Sequence, residues 1–128
     1  LIDTQIFIWA FLDSDNLGKI AREIMLASDE IFVSAAAIWE IAIKAKLGKI
    51  EGDPSEFVDA IESSGFNELK ISGRHAAQVN HLPLYHRDPF DRLLVGQALV
   101  ELMQLLTTDA LLRRYSKLVV TVPKGSAQ

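Results

Sequence analysis

Ile31-Phe32-Val33-Ser34-Ala35-Ala36-Ala37-Ile38-Trp39-Glu40-Ile41-Ala42-Ile43-Lys44-Ala45-Lys46-Leu47-Gly48 reads as strand, cap and helix in immediate succession. Ile31 to Val33 has strand composition, and Ser34 is a natural N-cap because its hydroxyl can accept from the first helical turn. The helix then runs from Ala35 to Leu47, and Gly48 closes it. On the C-terminal side, Asp53-Pro54-Ser55-Glu56 has the form of a capping box with proline at the first helical position, predicting a helix to about Ser63. Gly65 stops that helix, Asn67 to Ile71 can form a strand, and Ser72 can cap a short helix through Val79 before Pro83. Asp88-Pro89-Phe90-Asp91 repeats the capping logic and opens a helix to about Met103. Leu105-Leu106-Thr107 and Leu118-Val119-Val120-Thr121 read as strands around a short helix near Ala110 to Arg114.

On the N-terminal side, Leu17, Ile20 and Ile24 lie at helical spacing in a segment from Leu17 to Ala27, and Thr4 to Leu12 reads as an apolar helix. Leu1-Ile2-Asp3 before it is the start of a strand. About five short apolar strands alternating with helices imply an α/β fold: a single three-layer domain with a short parallel sheet and helices on both faces, since parallel strands need crossover connections. The expected domain is 1–123, with a flexible tail at 124–128.

The 128 residues suffice for one domain, and 49% hydrophobic with 23% charged residues is globular chemistry rather than disorder. Positive mean hydropathy leaves apolar residues to spare, so a partner or dimer interface is expected. There is no cysteine, hence no disulfide or thiolate metal site, and a cytoplasmic location is the expectation. Apolar runs such as Ala35 to Trp39 are far too short for a membrane span. A net charge of −4 and a pI near 5.3 argue against gripping nucleic acid by bulk electrostatics. The cations Lys44, Lys46 and Lys49, and Arg87, Arg92, Arg113, Arg114 and Lys117, read first as solvated surface.

Four carboxylates, Asp3, Glu40, Asp91 and Asp109, interrupt or end apolar runs, where an unpartnered charge is costly. Asp3 closes the first strand, and Asp109 follows the strand Leu105-Leu106-Thr107 by two residues. Asp91 lies on one line with Leu94, Val95, Ala98 and Leu102, and Glu40 is the polar exception between Ala35 and Ile43. Ligands in open parallel sheets bind beyond the carboxyl ends of the strands, so the four acids are expected to converge there. Each also has a local explanation: Asp91 as partner of Asp88 in a capping box, Glu40 as an i, i+4 pair with Lys44, Asp109 as a cap and Asp3 as a turn. Hard oxygen donors without cysteine or histidine suit one or two Mg²⁺ or Mn²⁺ ions. Such ions activate water and stabilise a phosphate oxyanion, which points to phosphodiester hydrolysis. His75, His81 and His86 form no zinc motif and are expected on surface or loops, while Trp9 and Trp39 are expected in the core. Neither a phosphate loop nor a G-x-S-x-G elbow is present.

With these residues in place, the chain resembles the PIN-domain ribonucleases, and especially the VapC-type toxins of type II toxin–antitoxin pairs. Leu1-Ile2-Asp3-Thr4 is similar to the family's opening strand and first acid, and Val33 to Lys44 with Leu47-Gly48-Lys49 to the segment bearing the second. His86-Arg87-Asp88-Pro89-Phe90-Asp91-Arg92-Leu93-Leu94 is the most specific match and places Asp91 as the third acid. Leu105-Leu106-Thr107-Thr108-Asp109 resembles the last strand and fourth acid. The resemblance implies a Mg²⁺- or Mn²⁺-dependent endoribonuclease, held inactive by a cognate antitoxin and homodimeric. Asp3, Glu40 and Asp91 would be the principal metal ligands, with Asp109 supporting and Thr107 orienting a carboxylate or water. Many relatives have an aromatic where this chain has Leu112, which makes Asp109 the least secure of the four. Asp88 is assigned to helix capping. Two other readings compete: a noncatalytic α/β binding module, and a haloacid-dehalogenase-like phosphatase, which would need an acid where this chain has Gln5.

Overall fold

Asp3, Ser34, Asp53, Ser72 and Asp88 each accept a hydrogen bond from the first turn of the helix that follows. These bonds satisfy backbone donors that have no partner inside the helix, so the caps fix where the helices begin. The computed structural model describes residues 1–125. Its helices are α1 (Thr4–Phe11), α2 (Lys19–Ala27), α3 (Ala35–Lys46), α4 (Pro54–Ser63), α5 (Gly73–Gln78) and α6 (Pro89–Glu101). Short 3-10 turns occupy Val79–His81 and Ala110–Arg114, and the strands are β1 (Phe32–Ser34), β2 (Asn67–Leu69), β3 (Leu105–Thr107) and β4 (Val119–Thr121).

β1 pairs with β2 and β3 with β4, both parallel, as two two-stranded ladders. Between them lies Ile2, in isolated parallel bridges to Val33 on one side and Leu106 on the other. The five-stranded sheet expected from the sequence therefore has no full first strand. Asp3 is the reason: its N–H donates to Leu106 O, but its carboxylate turns to cap α1, and the extended segment ends after Ile2.

Strand alternation sends neighbouring side chains to opposite faces of this arrangement. Leu106 joins Ile2, Val33, Ile6, Phe7, Ile41 and Phe57 in one core. Leu105 and Val119 join Leu94, Val95, Ala98 and Leu112 in a second core, beneath α6. Helix α6 approaches α5 closely because residue 96 is glycine: a Cβ there would lie 3.1 Å from His75 O. Gly65, at φ 77°, supplies the left-handed residue that ends α4 and leads into β2. At the end of α6 the same conformation falls to Leu102, at φ 54°, which is exposed rather than continuing the Asp91 stripe as the sequence suggests. Trp9 is buried, but Trp39 is exposed on α3, contrary to the core placement expected for both. His75 is buried, not on the surface: it completes a capping box with Ser72 and its Nε2 lies 3.0 Å from Glu101 Oε2.

Gly125 N donates to Asn16 O, tying the end of the described chain to the loop before α2. The remainder of the tail expected from Lys124, residues 126–128, lies outside the described residues. No helix among the described residues is long and apolar enough to cross a membrane.

Candidate functional site

Chain direction reverses its progress across the sheet at Ile2, with β1 to one side and β3 to the other. A crevice opens at such a switch point, beyond the carboxyl ends of the strands. Three residues stand at this edge: Asp3 after Ile2, Ser34 at the end of β1 and Thr107 at the end of β3, all buried. Ser34 caps α3 through Ala36 N–H.

Asp3 is held on both oxygens. Oδ1 accepts from Ile6 N–H at 2.8 Å, and Oδ2 accepts from the Thr107 hydroxyl at 2.6 Å. Thr107 Oγ1 in turn accepts from Asp109 N–H at 3.0 Å, so one hydroxyl links the first acid to the backbone of the last. Burial pushes the Asp3 carboxyl up to about 6 despite these bonds, and the charges of Glu40 and Asp109 push the same way.

Glu40 stands on α3 with only a small part of its side chain exposed, and Oε2 pairs with Lys44 Nζ at 3.1 Å. The i, i+4 pair read from the sequence is therefore present, but it engages one oxygen. Oε1 is buried and has no hydrogen-bond partner among the described residues. A buried carboxylate oxygen left without a donor is costly unless something else binds it.

Asp91 lies in the first turn of α6, yet it is not the capping residue. Asp88 caps, accepting from Phe90 N–H at 2.8 Å and Asp91 N–H at 3.4 Å. The reciprocal half of a capping box is closed to Asp91, because the Asp88 N–H donates to His86 Nδ1 at 3.0 Å. The Asp91 carboxyl is pushed up to about 7, by burial first and then by the charges of Asp88, Asp3 and Glu40, with His86 opposing. The charges of Asp3 and Glu40 thus reach Asp91, and those of Glu40 and Asp109 reach Asp3.

Asp109 caps the 3-10 turn that follows it through Leu111 N–H, and its Oδ2 lies 2.8 Å from His86 Nε2. The same nitrogen is 3.5 Å from Asp91 Oδ2. Among the described residues, His86, Asp91 and Asp109 are a group whose ligand atoms all lie within 4.8 Å. Asp3 and Glu40 are not members of it; their link to Asp91 is through charge.

His86 is the residue sequence reasoning missed. Its spacing to the other histidines carried no signal; what aims it is the turn His86-Arg87-Asp88, in which Nδ1 accepts from the Asp88 N–H. The backbone amide can only donate, so Nδ1 accepts and the proton sits on Nε2, which donates to Asp109. A metal-bound nitrogen must offer a free lone pair, so in this arrangement His86 orients Asp109 and is not a ligand. The donors left for a cation are carboxylate oxygens: the Asp3 oxygens with spare lone pairs, the orphaned Glu40 Oε1, and Asp91. Hard oxygen donors with uncompensated charge fit Mg²⁺ or Mn²⁺.

No curated protein matches the chain. The sequence matches the PIN domain over residues 1–118, a span that contains all four acids, Thr107 and His86, and the chain belongs to the PIN domain family.

Proposed function

We propose that this chain is a metal-dependent endoribonuclease and the toxin of a toxin–antitoxin pair. PIN domains are typically nucleases that use divalent metals, and in this chain Asp91 and Asp109, of the compact His86–Asp91–Asp109 group, offer carboxylate oxygens to a cation. The observation that carries the reading is the uncompensated charge at the switch point: Asp3 and Asp91 are both pushed up by burial and by neighbouring acids, and Glu40 Oε1 is buried without a donor. A fold gains nothing in stability from such a cluster alone.

Asp3, Glu40 and Asp91 would hold the ion, with Asp109 supporting. A bound Mg²⁺ or Mn²⁺ supplies an activated water and offsets charge on the phosphate. The chain's own groups set the frame for this. Thr107 fixes the Asp3 carboxylate through Oδ2, and Ile6 N–H fixes Oδ1. Lys44 restrains one oxygen of Glu40, leaving the other to face inward. His86 restrains Asp109. The acidic protein cannot attract RNA by net charge, which favours a substrate held by local contacts. Exposed large apolar residues, Leu26, Leu84 and Leu102 among them, support an antitoxin or a second copy as partner.

The test is cleavage of single-stranded RNA by the purified chain freed of any partner, with Mg²⁺ or Mn²⁺ and with EDTA. Cleavage should require the metal, and Asp91→Asn should lower it by more than the ~10–100-fold typical of losing an outer-shell partner. Full activity in EDTA, or in a folded Asp91→Asn variant, would overturn the reading.

A further inference from the structure

Trp39 and Phe90 each immediately precede an acid of the site, Glu40 on α3 and Asp91 on α6. The two helices pack together, and the two aromatic rings meet edge to face with centroids 5.1 Å apart and planes at 74°. With Ala76, Val79, Pro89 and Leu93 they line an apolar cleft of about 250 Å³. Trp39 remains 59% exposed, an uncommon cost for the largest side chain on a helix. The aromatic pair thus stands one residue from the acid pair on each of two packed helices.

The charges beside this seam sharpen its meaning. Lys44 is engaged by Glu40, and the Arg92 guanidinium donates to Pro83 O, Tyr115 Oη and Val79 O. Lys44 is thus neutralised within the fold and Arg92, bonded only to neutral oxygens, is fixed in place, while the chain as a whole is acidic. A polyanionic substrate brought to these carboxylates gains from any contact that does not depend on phosphate charge. Every nucleobase offers an uncharged π-face, and stacking on an aromatic side chain supplies such affinity for single strands without reading sequence.

We infer that the Trp39–Phe90 cleft is a nucleobase subsite, which stacks one base of the single-stranded RNA whose phosphate lies at the adjoining acids. The inference rests on the nuclease reading above and adds the group that positions its substrate. The occupant is a base of the RNA; an apolar side chain from a protein partner or a second copy is the competing outcome.

Trp9 is buried and Trp39 exposed, so acrylamide quenching of fluorescence reports chiefly on Trp39. In EDTA, a short single-stranded RNA should shield Trp39 from acrylamide, and the same RNA with its bases replaced by abasic residues should not. With Mn²⁺, Trp39→Leu should raise KM for RNA by about 5- to 100-fold with a smaller change in kcat, and Trp39→Phe should recover part of the loss. An unchanged KM in Trp39→Leu, equal shielding by abasic RNA, or shielding that follows protein concentration and not RNA would overturn the subsite. RNA that shields Trp39 in a chain showing no metal-dependent cleavage would keep the subsite and overturn the nuclease reading. Cleavage indifferent to Trp39→Leu would do the reverse.

Discussion

At His86 a single backbone N–H, that of Asp88, determines which ring nitrogen faces the acids. Two substitutions separate its two bonds. His86→Asn can keep an acceptor near the Nδ1 position but cannot reach Asp109, whereas His86→Gln can place an N–H near Asp109 and loses the local acceptor. Mn²⁺ affinity, followed by its EPR signal, should fall by about 10-fold or more in His86→Asn and by less in His86→Gln. Equal losses would assign the effect to the local turn instead. Asp3 and Asp91 carry a second residue-level expectation. Both have folded-state values, about 6 and about 7, above the ordinary 3.8, so the folded protein binds more protons than the unfolded one between those limits. Their contribution to stability is therefore fully present below about pH 4 and is lost as pH rises toward 7. In EDTA at pH 8, Asp91→Asn should melt a few degrees (~2–5 °C) above the natural chain, a gap that closes near pH 5; Mg²⁺ should raise the natural chain's Tm more at pH 8 than at pH 5. A pH-independent gap would show that Asp91 is not charged at a cost in the folded state.

Helix ends were the most legible elements in the sequence, because caps are local chemistry. Ser34, Asp53, Ser72 and Asp88 all cap the helices predicted after them. The first strand was not legible, since Asp3 serves capping and sheet edge at once, and only the long-range bonds to Leu106 and Thr107 decide how far the extended segment runs. Trp39 was misplaced for a related reason: an apolar run on a helix predicts burial, but which of its faces is covered depends on helices far along the chain. Of the site, the four acids could be read as costly interruptions, while His86 could not be distinguished from a loop histidine without the turn that aims it. Leu102 is a case where the local preference was overridden. A non-glycine residue at φ 54° carries about 1–2 kcal/mol of strain, and this one is exposed as well. Leu102→Gly should raise the free energy of unfolding by about 1 kcal/mol, measured by urea denaturation. A loss of stability would mean that the Leu102 side chain has a packing role.

Across the whole molecule, Ile2 is the residue through which the two ladders meet. It is buried in the core beneath α1 and α3, and truncation there removes apolar contact where the two ladders meet. Ile2→Ala should destabilise by about 2–5 kcal/mol, a large fraction of what a domain of this size has. Urea unfolding followed by circular dichroism and by fluorescence should keep coincident transitions at a lower midpoint; separated transitions would show that the halves fold independently. The hydroxyl of Thr107 on Asp3 adds a consequence in time. These partners are 104 residues apart, so the bond that fixes the first acid cannot form until β3 has been synthesised. During synthesis the emerging chain carries Asp3, Glu40 and Asp91 well before Thr107 and Asp109 leave the ribosome. A chain in that condition has most of its acids but not the strand whose hydroxyl fixes the first of them, so Asp3 reaches its final geometry only once β3 has been made and has paired beside Ile2.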